Sequence, residues 1–448
     1  MKVSNLYICS NCAYENSKWL GKCPSCGMWN TMQEEIRAAQ PTQTARRRVE
    51  AVSLQDIPLN EVRRTGSGIG ELDRVLGGGT VPGSVILLGG NPGIGKSTLL
   101  LQVAQSIARQ GEPVLYLCGE ESLQQIRLRA IRLGVDSPGI FLAAEQNLEF
   151  LAEYIEKIKP TNVIIDSIQA VYCSEVSSIP GSVAQLRECT ARITEIAKSS
   201  GITFFLIGHV TKEGVIAGPK VLEHMVDVVL SFEGEKSFSF RMLRGAKNRF
   251  GSTDEVGLLE MGPVGLSEVL DPASIFLSAE TALTSGTAIT TSVEGSRPLL
   301  IEVQALVSAS GPNYPKRMAA GIDQNRLALI AAVLEKRLGF HLSACDVFLK
   351  IAGGVFLRDP SVDFGIAAAI ISSHLDEVIP AGTVFIGELG LSGQIRPVTC
   401  LELRLKEIAK MGYSRVVVPK QGRLPAMADL NCIEVQTIDE ILELIREG

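Results

Sequence analysis

Three features of the sequence predict an α/β protein with a small metal-held N-terminal module and two larger α/β domains. Short apolar runs of strand length alternate with helix-period segments. Four cysteines crowd into the first 26 residues, and after a break near residue 271 the alternation restarts. The 448 residues leave room for two to four domains of about 100–200 residues each. A hydrophobic fraction of 46% and a charged fraction of 21% exclude a disordered or collagen-like chain. Lys and Arg total 43 against 49 Asp and Glu, a formal charge of −6, so any nucleic-acid contact must rest on local patches. No apolar run approaches the ~18 residues of a membrane span, and MKVSNLYICSNCAYENSKW lacks the apolar stretch of a signal peptide. The expected compartment is the cytoplasm, with no membrane partner.

Residues 1–30 are expected to form a zinc ribbon. Cys9, Cys12, Cys23 and Cys26 make two C-x2-C knuckles ten residues apart. Four thiolates complete a tetrahedral zinc site with no open position, so the metal is structural. Tyr7, Tyr14, Trp19 and Trp29 are expected to form a mini-core around it rather than a base-stacking surface. Cys118, Cys173, Cys189, Cys345, Cys400 and Cys432 are scattered and read mostly as buried thiols. Residues 31–60, polar and basic around QPTQTARRRVE, read as a linker.

Residues 61–270 carry the strand-like runs VILLGG, VLYLCG, NVIIDS and ITFFLIGH. Between them, TLLLQVAQSIARQG places Leu100, Val103, Ala104 and Ile107 on one helical face, with Gly111 as the stop. VAQLRECTARITEIAKSSG does the same with Val183, Leu186, Ile193 and Ile196, and ends at Gly201. Buried strands alternating with helices predict a mostly parallel sheet. VDVVLSF and SFSFRMLRG read as a hairpin around Glu233-Gly234-Glu235-Lys236.

Gly90-Asn91-Pro92-Gly93-Ile94-Gly95-Lys96-Ser97-Thr98 follows the first strand, opens a helix and fits G-x4-G-K-[ST]. Its backbone N–H groups and the helix dipole suit phosphate. Lys96 is expected on the β- and γ-phosphates of a nucleotide, and Ser97 on magnesium. Asp166 ends the run VIID, where a carboxylate would help hold that ion. Glu120 ends LYLCG, where it would orient an attacking water. Glu121 beside it reads as a bystander or salt-bridge partner.

This phosphate loop, Glu120, Asp166 and the polar residue closing ITFFLIGH resemble the RecA-like ATPases. The four-cysteine ribbon and Lys247-Asn248-Arg249-Phe250-Gly251 extend the resemblance, over the whole chain, to the bacterial RadA (Sms) family of DNA repair proteins. The C-terminal third, through GELGLSGQIRPV and the helix after it, resembles the proteolytic domain of Lon.

The resemblance implies a fold of zinc ribbon, RecA-like P-loop ATPase core and Lon-protease-like α/β domain. It implies an ATP hydrolase using ATP, Mg2+ and Zn2+ in homologous recombination. Such a protein would bind single-stranded and branched DNA, drive branch migration as a homo-oligomeric, hexameric ring, and meet a recombinase partner. His209 would link nucleotide state to the loop TKEGVIAGPKVLEH, where Gly214, Gly218, Lys212 and Lys220 suit a backbone grip; a satisfied strand-end histidine and a plain surface loop are the alternatives. Lys247 and Arg249 would serve a neighbouring subunit's ATP, with DNA phosphates and a solvated turn as other readings. A nucleotide-switched regulator of a protein partner is the alternative function.

A second change of composition at residues 271–297, rich in small residues, reads as another linker, and 298–448 as a separate α/β domain. Lon-type proteases use a Ser-Lys dyad. Matching RDPSVDFGIAAAI puts Ser361 at the serine, which otherwise reads as a helix cap. Matching GQIRPVTCLELRLKEI puts Glu402 at the lysine, with Arg404 nearby. A guanidinium stays protonated and makes a poor base, so protease activity is not expected. Lys316, Arg317, Arg326, Lys336 and Arg337 are candidate DNA-backbone contacts.

Overall fold

The computed structural model describes residues 4–9, 14–25, 27–37, 53, 64–209, 221–234, 240–269, 276–277, 284–311, 315–354, 356–422 and 430–446. The chain divides into two compact units, Met1–Glu268 and Val269–Gly448.

The first unit begins with a three-stranded antiparallel ribbon of β1 (Ser4–Cys9), β2 (Glu15–Asn16) and β3 (Met32–Arg37), in the order β2-β1-β3. Ser4 pairs with Arg37 and Cys9 with Met32. Residues 32–37 were expected in the linker and belong instead to the ribbon.

The core of this unit is a nine-stranded sheet. Its elements are α1 (Gly70–Leu76), β4 (Val85–Gly90), α2 (Lys96–Arg109), β5 (Val114–Cys118), α3 (Leu123–Arg132), β6 (Ile140–Ala143), α4 (Leu151–Ile158), β7 (Asn162–Asp166), α5 (Val183–Ser200), β8 (Thr203–His209), α6 (Val221–Met225), β9 (Val228–Glu233), β10 (Phe240–Asn248), β11 (Val256–Gly262) and β12 (Gly265–Glu268). Strand order is β12-β11-β10-β9-β4-β8-β7-β5-β6. β4 to β9 run parallel, and β10 to β12 extend them antiparallel. The two-residue period of β4 sorts its side chains. Ile86 and Leu88 pack with Leu99, Leu100, Val103 and Ile107 of α2, whereas Val85 and Leu87 pack with Leu186, Ile193 and Ala197 of α5. Ser122 and Gln125 form a capping box for α3. Ser182 caps α5, and Gly201 ends it at φ 75°.

The second unit holds β13 (Thr287–Glu294), β14 (Arg297–Ala309), β15 (Arg317–Ala320), α7 (Gln324–Leu338), β16 (Cys345–Ile351), α8 (Asp363–Leu375), β17 (Thr383–Phe385), β18 (Glu388–Leu389), β19 (Ile395–Arg396), α9 (Leu401–Lys410), β20 (Arg415–Pro419), β21 (Asn431–Val435) and α10 (Ile441–Arg446). Seven strands form one sheet in the order β15-β16-β14-β13-β17-β20-β21. Residues 287–294, expected in the second linker, are a central strand of it. Its Thr290, Thr291 and Ser292 are fully buried. The Thr290 hydroxyl donates to the Phe385 carbonyl at 2.8 Å, so a polar-looking segment is stable inside the sheet.

Candidate nucleotide site

Parallel pairing sets the carboxyl ends of β4, β8, β7 and β5 along one edge. Gly90 lies opposite His209 and Phe232, and Cys118 lies opposite Asp166. The crevice outside such strand ends is where α/β sheets take ligands.

The phosphate loop leaves β4 here and turns into α2. Gly95 has φ 117°, and a Cβ on it would lie 2.6 Å from the Met261 methyl; one on Gly90 would lie 2.6 Å from the Phe232 carbonyl oxygen. Glycine is therefore required at both positions. Lys96 is buried, and its Nζ donates to the carbonyls of Gly90 at 2.7 Å and Asn91 at 3.1 Å. Burial lowers its pKa to about 8, against the opposing pull of Asp166 and Glu120. Arg241, also buried, donates from Nε to the Ile94 carbonyl at 3.1 Å and braces the loop from β10.

Asp166 is held from two sides. Tyr116 Oη donates to its Oδ2 at 2.6 Å, and the Ser97 hydroxyl bonds the same carboxylate. Burial raises the Asp166 pKa, those two hydrogen bonds oppose the rise, and Glu120 and Glu121 add to it. A hydroxyl and a carboxylate side by side at the loop form an oxygen donor set of the kind magnesium takes. Glu120 is exposed at the end of β5 and accepts a hydrogen bond from the Ser167 hydroxyl. Glu121 pairs with Arg129 at 2.7 Å, as a salt-bridge partner should. Sequence reasoning missed Tyr116, Ser167 and Arg241. A tyrosine in the otherwise apolar strand VLYLC was the available signal, because a buried hydroxyl needs a partner.

His209 closes β8 beside the loop; residues 210–220, with Lys212 and Lys220, lie outside the described residues. Lys247 and Arg249 lie elsewhere. Lys247 and Asn248 are the end of β10, not a turn after it, and pair with Val229 and Val228. Val228 faces Ile86, four residues back from Gly90 along β4, or about 13 Å at ~3.3 Å per residue. Lys247 Nζ donates to the carbonyls of Glu223 and Val226 at 2.7 and 2.8 Å. Arg249 meets Asp227 at 3.2 Å, and the buried Asp227 carboxylate also accepts from Lys198 at 2.7 Å and the Val85 amide at 3.0 Å.

In the ribbon, Cys9 and Cys23 are fully buried together with Met32, against Tyr7, Tyr14 and Leu20. Cys12 and Cys26 lie outside the described residues. Two buried thiols in a domain with so small a core fit a structural zinc. The expected aromatic mini-core is only half right: Tyr7 and Tyr14 join it, but Trp19 is 55% exposed and Trp29 68%.

The second unit corrects three expectations. Ser361 is not a helix cap; Asp359 takes that position and accepts from the Ser361 amide at 2.9 Å. The residue facing Ser361 is Arg404 rather than Glu402, which pairs at the surface with Lys406 at 2.7 Å. Arg326 is no free backbone-binding charge, since it pairs with Asp363 at 2.6 Å and donates to the carbonyls of Leu357 and Asp359. Lys316, Lys336 and Arg337 are exposed and Arg317 half-buried.

Family models match three stretches of the chain: a rubredoxin metal binding domain at residues 7–34, an AAA domain at 48–215, and the ChlI subunit of Mg-chelatase at 327–422. With the geometry above, these define a RecA-like P-loop ATPase fold flanked by a zinc ribbon and a Lon-protease-like domain. The DNA repair protein RadA of Bacillus subtilis is 48% identical over 99% of this chain and 98% of its own. RadA of Listeria monocytogenes is 48% identical over the same shares, and RadA of Synechocystis 46% over 94% and 90%. The chain belongs to the family of the DNA repair protein RadA. Among solved structures, a KaiC-like protein of Pyrococcus horikoshii matches 46% of this chain and 99% of its own at 23% identity and a TM-score of 0.39. Among the described residues no helix is long and apolar enough to cross a membrane.

Proposed function

We propose that this chain is a DNA-stimulated ATP hydrolase of homologous recombination. It works in the cytoplasm as a ring, binds single-stranded DNA and drives branch migration. Backbone N–H groups of residues 90–98 and Lys96 bind the phosphates. Ser97 and Asp166 would hold magnesium, which neutralises charge on the phosphates when bound. Glu120, steadied by Ser167, orients the attacking water and takes its proton.

The observation that carries the ring is the place of Lys247 and Arg249. They stand at the end of the sheet opposite their own phosphate loop, which supports a role at a neighbouring subunit's nucleotide rather than at their own. Arg249 is the better placed, with a side chain 54% exposed. The Lon-like domain serves assembly and DNA contact rather than proteolysis. The Ser361 hydroxyl donates to the Thr291 carbonyl at 2.9 Å and accepts from Arg404, which leaves no base to activate it.

The test is ATP turnover with and without single-stranded DNA at low salt, with Lys96→Ala as the blank. Stimulation lost in the variant is expected. Unchanged turnover on adding DNA would sink DNA-coupled hydrolysis and favour a nucleotide switch acting on a protein partner.

A further inference from the structure

The ribbon leaves its two largest apolar side chains in solvent. A domain whose described core is two cysteines and a methionine, against two tyrosines and a leucine, has every reason to bury an indole. Yet Trp19 and Trp29 are 55% and 68% exposed, with Met28 beside them at 52%.

The indoles share one location. The point a Cβ on Gly21 would occupy lies 3.6 Å from Trp19 Cη2 and 3.9 Å from Trp29 Cζ3, so the rims of both six-membered rings pass close to the Gly21 backbone. Both are also anchored. Trp19 Nε1 donates to the Met32 carbonyl at 3.2 Å. Trp29 bridges Lys22 across the second knuckle, and the Asn30 amide donates to the Gly21 carbonyl at 2.8 Å. Trp19 is held through its ring nitrogen and Trp29 through its backbone, so neither is stranded on a loose loop.

The segment carrying both indoles holds only positive charge; the ribbon's acids, Glu15 of β2 and Glu34 and Glu35 of β3, lie outside it. Between residues 17 and 30 the charged residues are Lys18 and Lys22, with no acid. Both lysines are exposed, and Lys22 Nζ stands 5.6 Å from the Trp29 ring centroid. Rigid aromatic faces flanked by cations are what unpaired bases on a phosphate backbone require: the rings take the bases and the ammonium groups the phosphates. A duplex, with its bases already stacked, gains little there.

We infer that Trp19, Trp29, Lys18 and Lys22 form a stacking site for single-stranded nucleic acid on the zinc ribbon. The inference rests on the DNA-binding reading above and adds a second candidate segment to the loop after His209.

The chain supplies its own probe, because Trp19 and Trp29 are its only tryptophans and all indole emission comes from this surface. The full-length, zinc-loaded protein is titrated with oligo(dT), following both indole emission and the anisotropy of a dye on the oligonucleotide. The expected result is quenching that saturates with the anisotropy. An abasic oligonucleotide of the same length should quench little. Trp19→Ala and Trp29→Ala should each weaken binding roughly tenfold, with Trp→Phe milder and basal ATP turnover unchanged. Binding by anisotropy with unaltered emission overturns the inference and leaves DNA binding standing. Quenching by a purified recombinase but not by oligo(dT) also overturns it and makes the surface a protein site. Absence of any oligonucleotide binding removes both readings together. The wild-type titration needs no variant to fold.

Discussion

Arg404 Nη1 lies 2.8 Å from Ser361 Oγ, with both side chains fully buried. The same guanidinium reaches Asp359 Oδ2 at 2.7 Å, the Thr291 carbonyl at 2.9 Å and the Thr399 carbonyl at 3.0 Å. Where a Ser-Lys dyad needs an amine that can lose its proton, this domain holds a permanent cation with its donors committed. The constellation ties β13, the turn before α8 and the start of α9 into one polar knot.

Removing Arg404 should therefore unfold the domain before it changes any chemistry. Arg404→Met leaves Asp359, whose side chain is 12% exposed, without its counter-charge, a loss approaching the ~3–5 kcal/mol of a broken buried pair. Urea unfolding of the full chain should show a C-terminal transition moved to lower denaturant. An unshifted transition would mean that the knot carries no stability.

The same knot sets an acid limit. Burial alone would raise the Asp359 pKa. The Arg404 charge and the amides of Val293 and Ser361 outweigh it, and the net shift is downward. A carboxylate with a depressed folded-state pKa contributes stability above its unfolded value of about 3.9, and that contribution is lost as pH falls through the folded value. Between pH 5 and 2 the domain's stability should decline, and Asp359→Asn should flatten that part of the curve from a lower plateau. Parallel curves for the two proteins would remove Asp359 as the cause.

Tyr116→Phe deletes one hydroxyl behind Asp166 and nothing from the crevice itself. The lost hydrogen bond is to a charged group, worth about 1.5–3 kcal/mol. Freed on that side, the carboxylate should hold magnesium less well. Fluorescent nucleotide binding should then need several-fold more Mg2+ to reach its full affinity, while affinity in EDTA stays as in the wild type. Equal losses in both conditions would mark a damaged loop rather than a loosened carboxylate.

Gly95→Ala tests the loop directly. The residue would sit at φ 117° with its methyl against Met261. The Met261 methyl can swing aside, but the backbone resists, so nucleotide binding should fall to the Lys96→Ala level while the fold survives. Met261→Ala should not rescue it, because removing the clash leaves the strained φ. Rescue would assign the whole effect to packing.

The strands β4, β5, β7 and β8 were readable because a strand covered on both faces is apolar throughout. The phosphate loop was readable because glycine and lysine are forced there by geometry and charge. What escaped did so for identifiable reasons. β13 is written in threonine and serine, whose hydroxyls look like loop until the carbonyls that receive them are known. Matching along the chain put Glu402 opposite Ser361, yet a helix turns about 100° per residue, and the side chain facing inward is two positions on. Trp19 and Trp29 read as a mini-core because they neighbour the cysteine knuckles, but closeness in sequence does not say which way a ring faces.

The place of Arg249 makes a prediction that a single variant cannot test. Arg249→Ala would silence hydrolysis in trans, but it also removes a cation from the buried Asp227 and so would lower activity through a damaged fold. Mixing separates the two causes. Subunits with Lys96→Ala keep Arg249 but cannot use nucleotide; subunits with Arg249→Ala keep the phosphate loop but lack the neighbour's cation. Each alone should be inactive. Co-assembled, they create interfaces in which an intact loop faces an intact Arg249, and a measurable fraction of wild-type turnover should return, rising and falling with the mixing ratio. A purely structural role for Arg249 predicts no recovery at any ratio, because a misfolded subunit gains nothing from a neighbour that cannot hold ATP.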